Sequence, residues 1–197
     1  MRDRAKDILG FYALPDRDIS HILEFTNRVK ADFDTMVVLG IGGSALGNKA
    51  LYSALRIEKN LKKKLYVCDN VDPTLVYDIL SQIELKRTLF NVITKSGTTA
   101  ETMAAFLIIM KVLKEAFPDD YRSHVIITTD KEKGFLRKII KQEGFQDFIV
   151  PDNVGGRFSV LTDVGLVSSA FVGIDIASLL KGAGSMRTRC EIEQKIF

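Results

Sequence analysis

Short apolar runs alternate along this chain with longer stretches of helical periodicity. Met36–Leu39, Leu65–Cys68, Leu89–Ile93, Val125–Thr128 and Asp147–Val150 are short, rich in Val and Ile, and apolar on both faces. Runs of this kind predict strands buried on both sides, as in a parallel sheet covered by helices. Between them, apolar residues at helical spacing predict helices over Ala45–Ile57, Pro73–Gln82, Thr99–Phe117 and Lys133–Glu143. The alternation predicts an α/β fold, a three-layer doubly wound parallel sheet of about five strands.

Two flanks lie outside that pattern. Asp18–Ala31 places Ile19, Ile22, Leu23 and Phe25 at helical spacing. After Val150 comes a Gly-rich loop, then an apolar stretch over Val160–Ile176. Lys181–Phe197 is more polar and shows no partner of its own. The expected organisation is a helical arm over 1–32, one domain over 33–180 and, over 181–197, the start of a segment leading to a second domain that is absent.

Composition narrows the classes. An apolar share of 46% in 197 residues is enough for one buried core. The net charge of +3 is small and spread out, unlike the basic face of a nucleic-acid binder. Lys62–Lys64, the densest basic run, reads as a solvated turn before a strand. The positive balance mildly favours anionic ligands. Cys68 and Cys190 are far apart, which argues against a disulfide framework and fits a reducing cytosol. No apolar run approaches the roughly 20 residues of a membrane span. The Met1–Arg4 start is charged and lacks a signal core. A soluble cytoplasmic protein is expected, with no nucleic-acid or membrane partner and no metal or cofactor.

Candidate chemistry sits in the loops. The first, Gly40–Gly47, follows a strand and opens a helix. Glycines there let backbone approach an anion, and the helix's free N–H groups point at it. Ser44 adds a hydroxyl, or serves only as an N-cap. Gly40, Gly42 and Ala45 also fit the loose G-x-G-x-x-A pattern, and Asp69 ends the second strand. A nicotinamide-dinucleotide domain is therefore a rival. The second loop, Thr94–Thr102, carries five hydroxyl side chains and Lys95. A phosphate monoester wants many short donors, which hydroxyls and backbone N–H groups supply. Thr98 and Glu101 fit a capping box, so Glu101 reads as structural. Lys95 acts here either through its charge or only through its backbone. A flavodoxin-like strand order brings both loops to one crevice, where two loops converging on one phosphate is the simpler account. The third loop, Asn153–Ser159, places Gly155 and Gly156 before Arg157. Its arginine either stabilises an anionic intermediate or is solvated in an ordinary surface turn.

In order and spacing, these loops resemble the glucose-6-phosphate isomerase family. The carrying stretches are Val38–Ser44, Thr94–Thr102 and Val154–Leu161, supported by Asn70–Pro73 and Gly173–Ile176. The resemblance runs from about Phe11 to about Gly184. It implies a sugar-isomerase (SIS) domain and the interconversion of glucose 6-phosphate and fructose 6-phosphate, in glycolysis and gluconeogenesis. It implies that Gly43, Ser44 and Gly156 line the sugar-phosphate site, and that Thr94, Lys95, Ser96 and Thr99 hold the phosphate with Thr98 beside them. Arg157 matches the family's arginine that stabilises an enediolate-like intermediate. Position 94 is commonly Ser in the family; Thr94 keeps the hydroxyl.

Proton transfer through an enediol also needs a base of suitable pKa near the carbon. The family's glutamate base, a histidine and a lysine come from segments beyond the match. His21 and His124 read as structural or solvated instead. Two readings follow. One is the phosphate-binding first half of the isomerase, working as a homodimer or with a complementing second-half polypeptide. The other is a stand-alone sugar-phosphate sensor or regulatory domain.

Overall fold

The computed structural model describes residues 9–56 and 61–193. The Met1–Arg4 start, the Ile57 end of the helix expected from Ala45, and residues 194–197 of the closing stretch lie outside them.

Five strands form: β1 (Thr35–Leu39), β2 (Lys64–Cys68), β3 (Thr88–Thr94), β4 (Val125–Thr129) and β5 (Gln146–Ile149). All neighbours pair in parallel, in the order β2-β1-β3-β4-β5. Every residue of β1, β3 and β4 is buried, whereas the edge strands β2 and β5 each keep exposed positions. That is why the unbroken apolar runs fall at the centre of the sheet. The helices are α1 (Ser20–Val29), α2 (Gly43–Leu55), α3 (Pro73–Gln82), α4 (Ala100–Ala116), α5 (Phe135–Glu143), α6 (Asp163–Val172) and α7 (Ile176–Glu193).

Alternate strand side chains feed two cores, one on each face. Met36, Val38, Leu89 and Ile93 meet Ile22 and Phe25 of α1 and Leu166, Val167 and Phe171 of α6. Val37, Leu39, Phe90 and Val92 meet Val76 of α3, Phe106 and Ile109 of α4, and Leu136 of α5. Each such buried side chain contributes about 1.5–3 kcal/mol of transfer free energy. Local chemistry sets several helix starts. The Asp72 carboxylate accepts from Thr74 N–H at 2.8 Å with Pro73 beginning α3. The Thr162 hydroxyl accepts from Val164 N–H and starts α6.

The polar closing stretch differs from expectation. It continues α7, and that helix has a partner. Arg187 pairs with Asp16 at 2.7 and 2.9 Å and donates to the Tyr12 carbonyl at 3.0 Å, while the Tyr12 hydroxyl donates to Glu191. The partner is the 3-10 turn Gly10–Asp16, remote in sequence. The contact is made by charges and hydrogen bonds, so apolar patterning carries no sign of it.

β1 is flanked by β2 on one side and β3 on the other, so their crossovers leave toward opposite faces. A crevice opens there, off the carboxyl ends of the strands.

Candidate functional site

The first loop leaves β1 at this crevice, and α2 begins at Gly43. Gly43 has no room for a side chain: a Cβ there would lie 2.2 Å from the Gly156 carbonyl oxygen. The first and third loops therefore touch backbone to backbone. The Ser159 hydroxyl reinforces the contact, donating to the Gly156 carbonyl at 2.7 Å and the Gly43 carbonyl at 3.3 Å. Ser44 lies in the first turn of α2. Its carbonyl accepts from Asn48 Nδ2 at 2.9 Å, and that amide also donates to the Val164 carbonyl at 3.1 Å. Asn48, 1% exposed, thus ties the start of α2 to α6.

The second loop leaves β3 and opens α4, the 17-residue helix. The Thr94 and Thr99 hydroxyls are 2.7 Å apart, and Ser96 Oγ is 3.3 Å from Thr94 and 3.4 Å from Thr99. Ser96 Oγ also accepts from the Thr98 N–H at 3.2 Å and the Thr98 hydroxyl at 3.3 Å. Four hydroxyls therefore gather at one helix N-terminus, where partial positive charge favours an anion. Gly97 makes the turn possible, with φ of +66° and its Cα against Gly134 of the loop before α5. Behind it, the Asp130 carboxylate accepts from Glu132 N–H and Lys133 N–H, each at 2.8 Å. Those bonds hold its carboxyl down at about 2.

The expected Thr98–Glu101 capping box does not form. Thr99 occupies the cap position, and no side chain caps the helix. The Ser96 hydroxyl takes the Thr98 N–H instead, so α4 starts one residue later than the box requires. Glu101 lies in the first turn and is exposed.

The third loop follows β5 and enters the 3-10 turn Gly156–Leu161. Lys95 crosses to it from the second loop, donating to the Asp152 carbonyl at 2.6 Å and the Val154 carbonyl at 3.2 Å. Gly10 N–H donates to the Asn153 carbonyl at 3.2 Å, and Phe11 stacks on Phe158 with ring centroids 4.8 Å apart. Arg157 is exposed. The structure therefore brings Gly43, Ser44, Thr94, Lys95, Ser96, Thr98, Thr99, Gly156 and Arg157 to one end of the sheet. Residues that sequence reasoning missed are Asn48, Gly10 and Phe11, together with the carbonyls of 152–154. Main-chain acceptors leave no trace in composition, and Asn48 lies inside an otherwise ordinary helix.

The histidines have other partners. His124 Nδ1 is 3.1 Å from the Thr88 carbonyl, and its ring stacks on Phe117. Thr88 begins β3, so His124 sits at the opposite end of the sheet, about 20 Å from the loops at 3.3 Å per residue. His21 faces Asp163, which also pairs with Arg17. Among the described residues, no cluster of His, Cys, Asp and Glu is arranged to hold a metal, and no helix is long and apolar enough to cross a membrane.

Five parallel strands in this order, with the loops after β1, β3 and β5 at one end, define a doubly wound α/β domain with the flavodoxin-like strand order. Tagatose-6-phosphate ketose/aldose isomerase from Escherichia coli shares the fold, with a TM-score of 0.56 at 14% identity over 87% of this chain and 46% of that one. The chain belongs to the phosphoglucose isomerase family, whose profile matches residues 24–194. It is 45% identical, over 96% of its own length, to glucose-6-phosphate isomerase of Carboxydothermus hydrogenoformans, of which it covers 43%. The crystal structure of a glucose-6-phosphate isomerase from Chlamydia trachomatis superposes with a TM-score of 0.73 at 28% identity, over 86% of this chain and 32% of that one. The chain spans less than half the length of the curated relatives it matches, 43–46% for three of them.

Proposed function

We propose that this chain is the sugar-phosphate-holding part of a glucose-6-phosphate isomerase, acting in the cytoplasm. The observation that carries the reading is the hydroxyl cluster of Thr94, Ser96, Thr98 and Thr99 at the start of α4, joined through Lys95 to a loop that bears an exposed arginine. A phosphate dianion takes the place at which the hydroxyls now bond one another, and the first N–H groups of α4 complete its shell. Gly43, Ser44 and Gly156 line the sugar beyond it.

In the isomerisation, the C2 proton of the aldose is moved to C1, while the O2 proton passes to O1. Negative charge develops on the enediol oxygens between these transfers. Arg157, permanently cationic, stabilises that charge. Glu101 is exposed at a helix start and His124 lies at the opposite end of the sheet, so neither fits the base. The base comes from outside this chain, on a complementing second-half polypeptide. The dinucleotide rival gains nothing from the hydroxyl cluster, and the stand-alone sensor gains no observation of its own.

The purified chain is expected to bind 6-phosphogluconate, a sugar-acid phosphate, yet to turn over fructose 6-phosphate negligibly. Calorimetric titration and a coupled isomerase assay measure the two. Absence of binding removes the site; robust turnover by the chain alone removes the claim that its base lies elsewhere.

A further inference from the structure

Lys95 lies between Thr94 and Ser96 in the hydroxyl loop, yet its ammonium group is engaged outside that loop. Two of its three N–H donors go to neutral main-chain acceptors, the carbonyls of Asp152 and Val154. The carbonyl between them, on Asn153, is held by Gly10 N–H. Three successive carbonyls at the root of the third loop are thus each fixed from outside, two of them by one lysine. Immediately after come Gly155 and Gly156, which contribute no side chain, and then Arg157. A glycine pair holds little shape by itself, so its path is set by how its two ends are fixed. The far end is fixed by the Gly43–Gly156 contact and by Ser159. The near end is fixed by Lys95.

We infer that Lys95 is a positioning residue: its ammonium is a strut that holds the arginine loop at a set distance from the hydroxyl loop. The inference rests on the sugar-phosphate reading for its functional meaning, though the strut itself is a property of the free chain. The hydroxyls and the N–H groups of α4 then meet the phosphate, while Lys95 fixes where the Arg157 guanidinium stands relative to it.

Two measurements test this. In the first, inorganic phosphate and 6-phosphogluconate are titrated into the wild type, Lys95→Met, Arg157→Ala and the double variant. Lys95→Met should hold inorganic phosphate within about twofold of wild type and lose about tenfold for 6-phosphogluconate. The double variant should lose little more than Arg157→Ala alone, since coupled residues are not additive. Lys95→Arg, which keeps the reach and the charge, should recover most of the loss. A tenfold loss for inorganic phosphate, or additive losses in the double variant, makes Lys95 a direct phosphate ligand and overturns the strut. The second measurement needs no ligand. Amide hydrogen exchange over residues 153–158 should quicken about tenfold in Lys95→Met, and in the shorter Lys95→Gln, with residues 94–99 little changed. Unchanged exchange over 153–158 overturns the strut even if the wild type binds no sugar phosphate. Quickened exchange without any wild-type binding keeps the strut and removes the functional reading alone.

Discussion

Thr94–Thr99 joins a fully buried central strand to the longest strand-following helix, whereas Asn153–Ser159 follows an edge strand and runs into a 3-10 turn. The first of these loops is held at both ends by regular structure and bonds mostly to itself. The second is held by tethers from residues remote in sequence: Gly10, Phe11, Gly43 and Lys95. The contrast shows that a binding loop can be made rigid by the elements it connects, or by what reaches across to it. The hydroxyl-bearing half of this site is of the first kind. The half that carries the guanidinium is of the second, so its position depends on the whole domain.

The largest expected effect comes from Gly43→Ala, which attacks the point where the two kinds of loop meet. The new Cβ would lie 2.2 Å from a main-chain oxygen that no rotamer can move aside. A destabilisation of about 1–3 kcal/mol is expected in chemical denaturation, as for overpacked sites. Binding of 6-phosphogluconate should weaken at least about tenfold in the same variant. A stable variant with normal affinity would mean that the first and third loops are less tightly joined than the contact implies.

The self-contained loop is broken by Ser96→Ala with Thr99→Ala. Thr99 makes no side-chain cap, so α4 should keep its start and the melting temperature should change little. Phosphosugar affinity should fall by about 1–3 kcal/mol, because donors to a charged group are lost. Lost stability with unchanged affinity would make the hydroxyl cluster structural.

Asp130 tests the support beneath the same loop through pH. Hydrogen bonds from the Glu132 and Lys133 N–H groups lower its carboxyl from 3.8 to about 2. A carboxyl depressed in the folded state stabilises the protein at pH values above its unfolded pKa. That contribution fades as pH falls from about 4 through about 2. Asp130→Asn should therefore be less stable than wild type at pH 7, and the difference should vanish below about pH 2. Urea midpoints across that range measure it, and a pH-independent difference would assign the loss to packing instead.

The smallest effect is expected from Phe11→Ala, which removes one tether of the third loop. Loss of the stack on Phe158 should cost about 0.5–1.5 kcal/mol. Affinity for inorganic phosphate should stay within about twofold. A comparable loss for inorganic phosphate would show that the arm supports both loops, and would weaken the distinction between them.

What could be read in advance follows the same division. The apolar runs of β1, β3 and β4 announced the central strands because burial on both faces removes the need for polar positions. The hydroxyl run Thr94–Thr102 announced the helix-start cluster because its members are neighbours in sequence. Reading Thr98 and Glu101 as a capping box failed because Ser96, two residues earlier, captured the N–H that the box needed. The polar stretch beyond Lys181 looked unpartnered because ion pairs with an arm at the other end of the chain leave no periodic signal.

By itself, then, the sequence determined the alternation of strands and helices, the three loops and the side chains each carries, since all of these rest on residues within a few positions of one another. Only the tertiary structure decided that Gly43 lies against Gly156, that the Lys95 ammonium spans two loops, and that the chain's first described residues brace the arginine loop. Those arrangements depend on strand order and on main-chain carbonyls. A carbonyl is the same at every residue, so nothing in a list of side chains says which ones will be used.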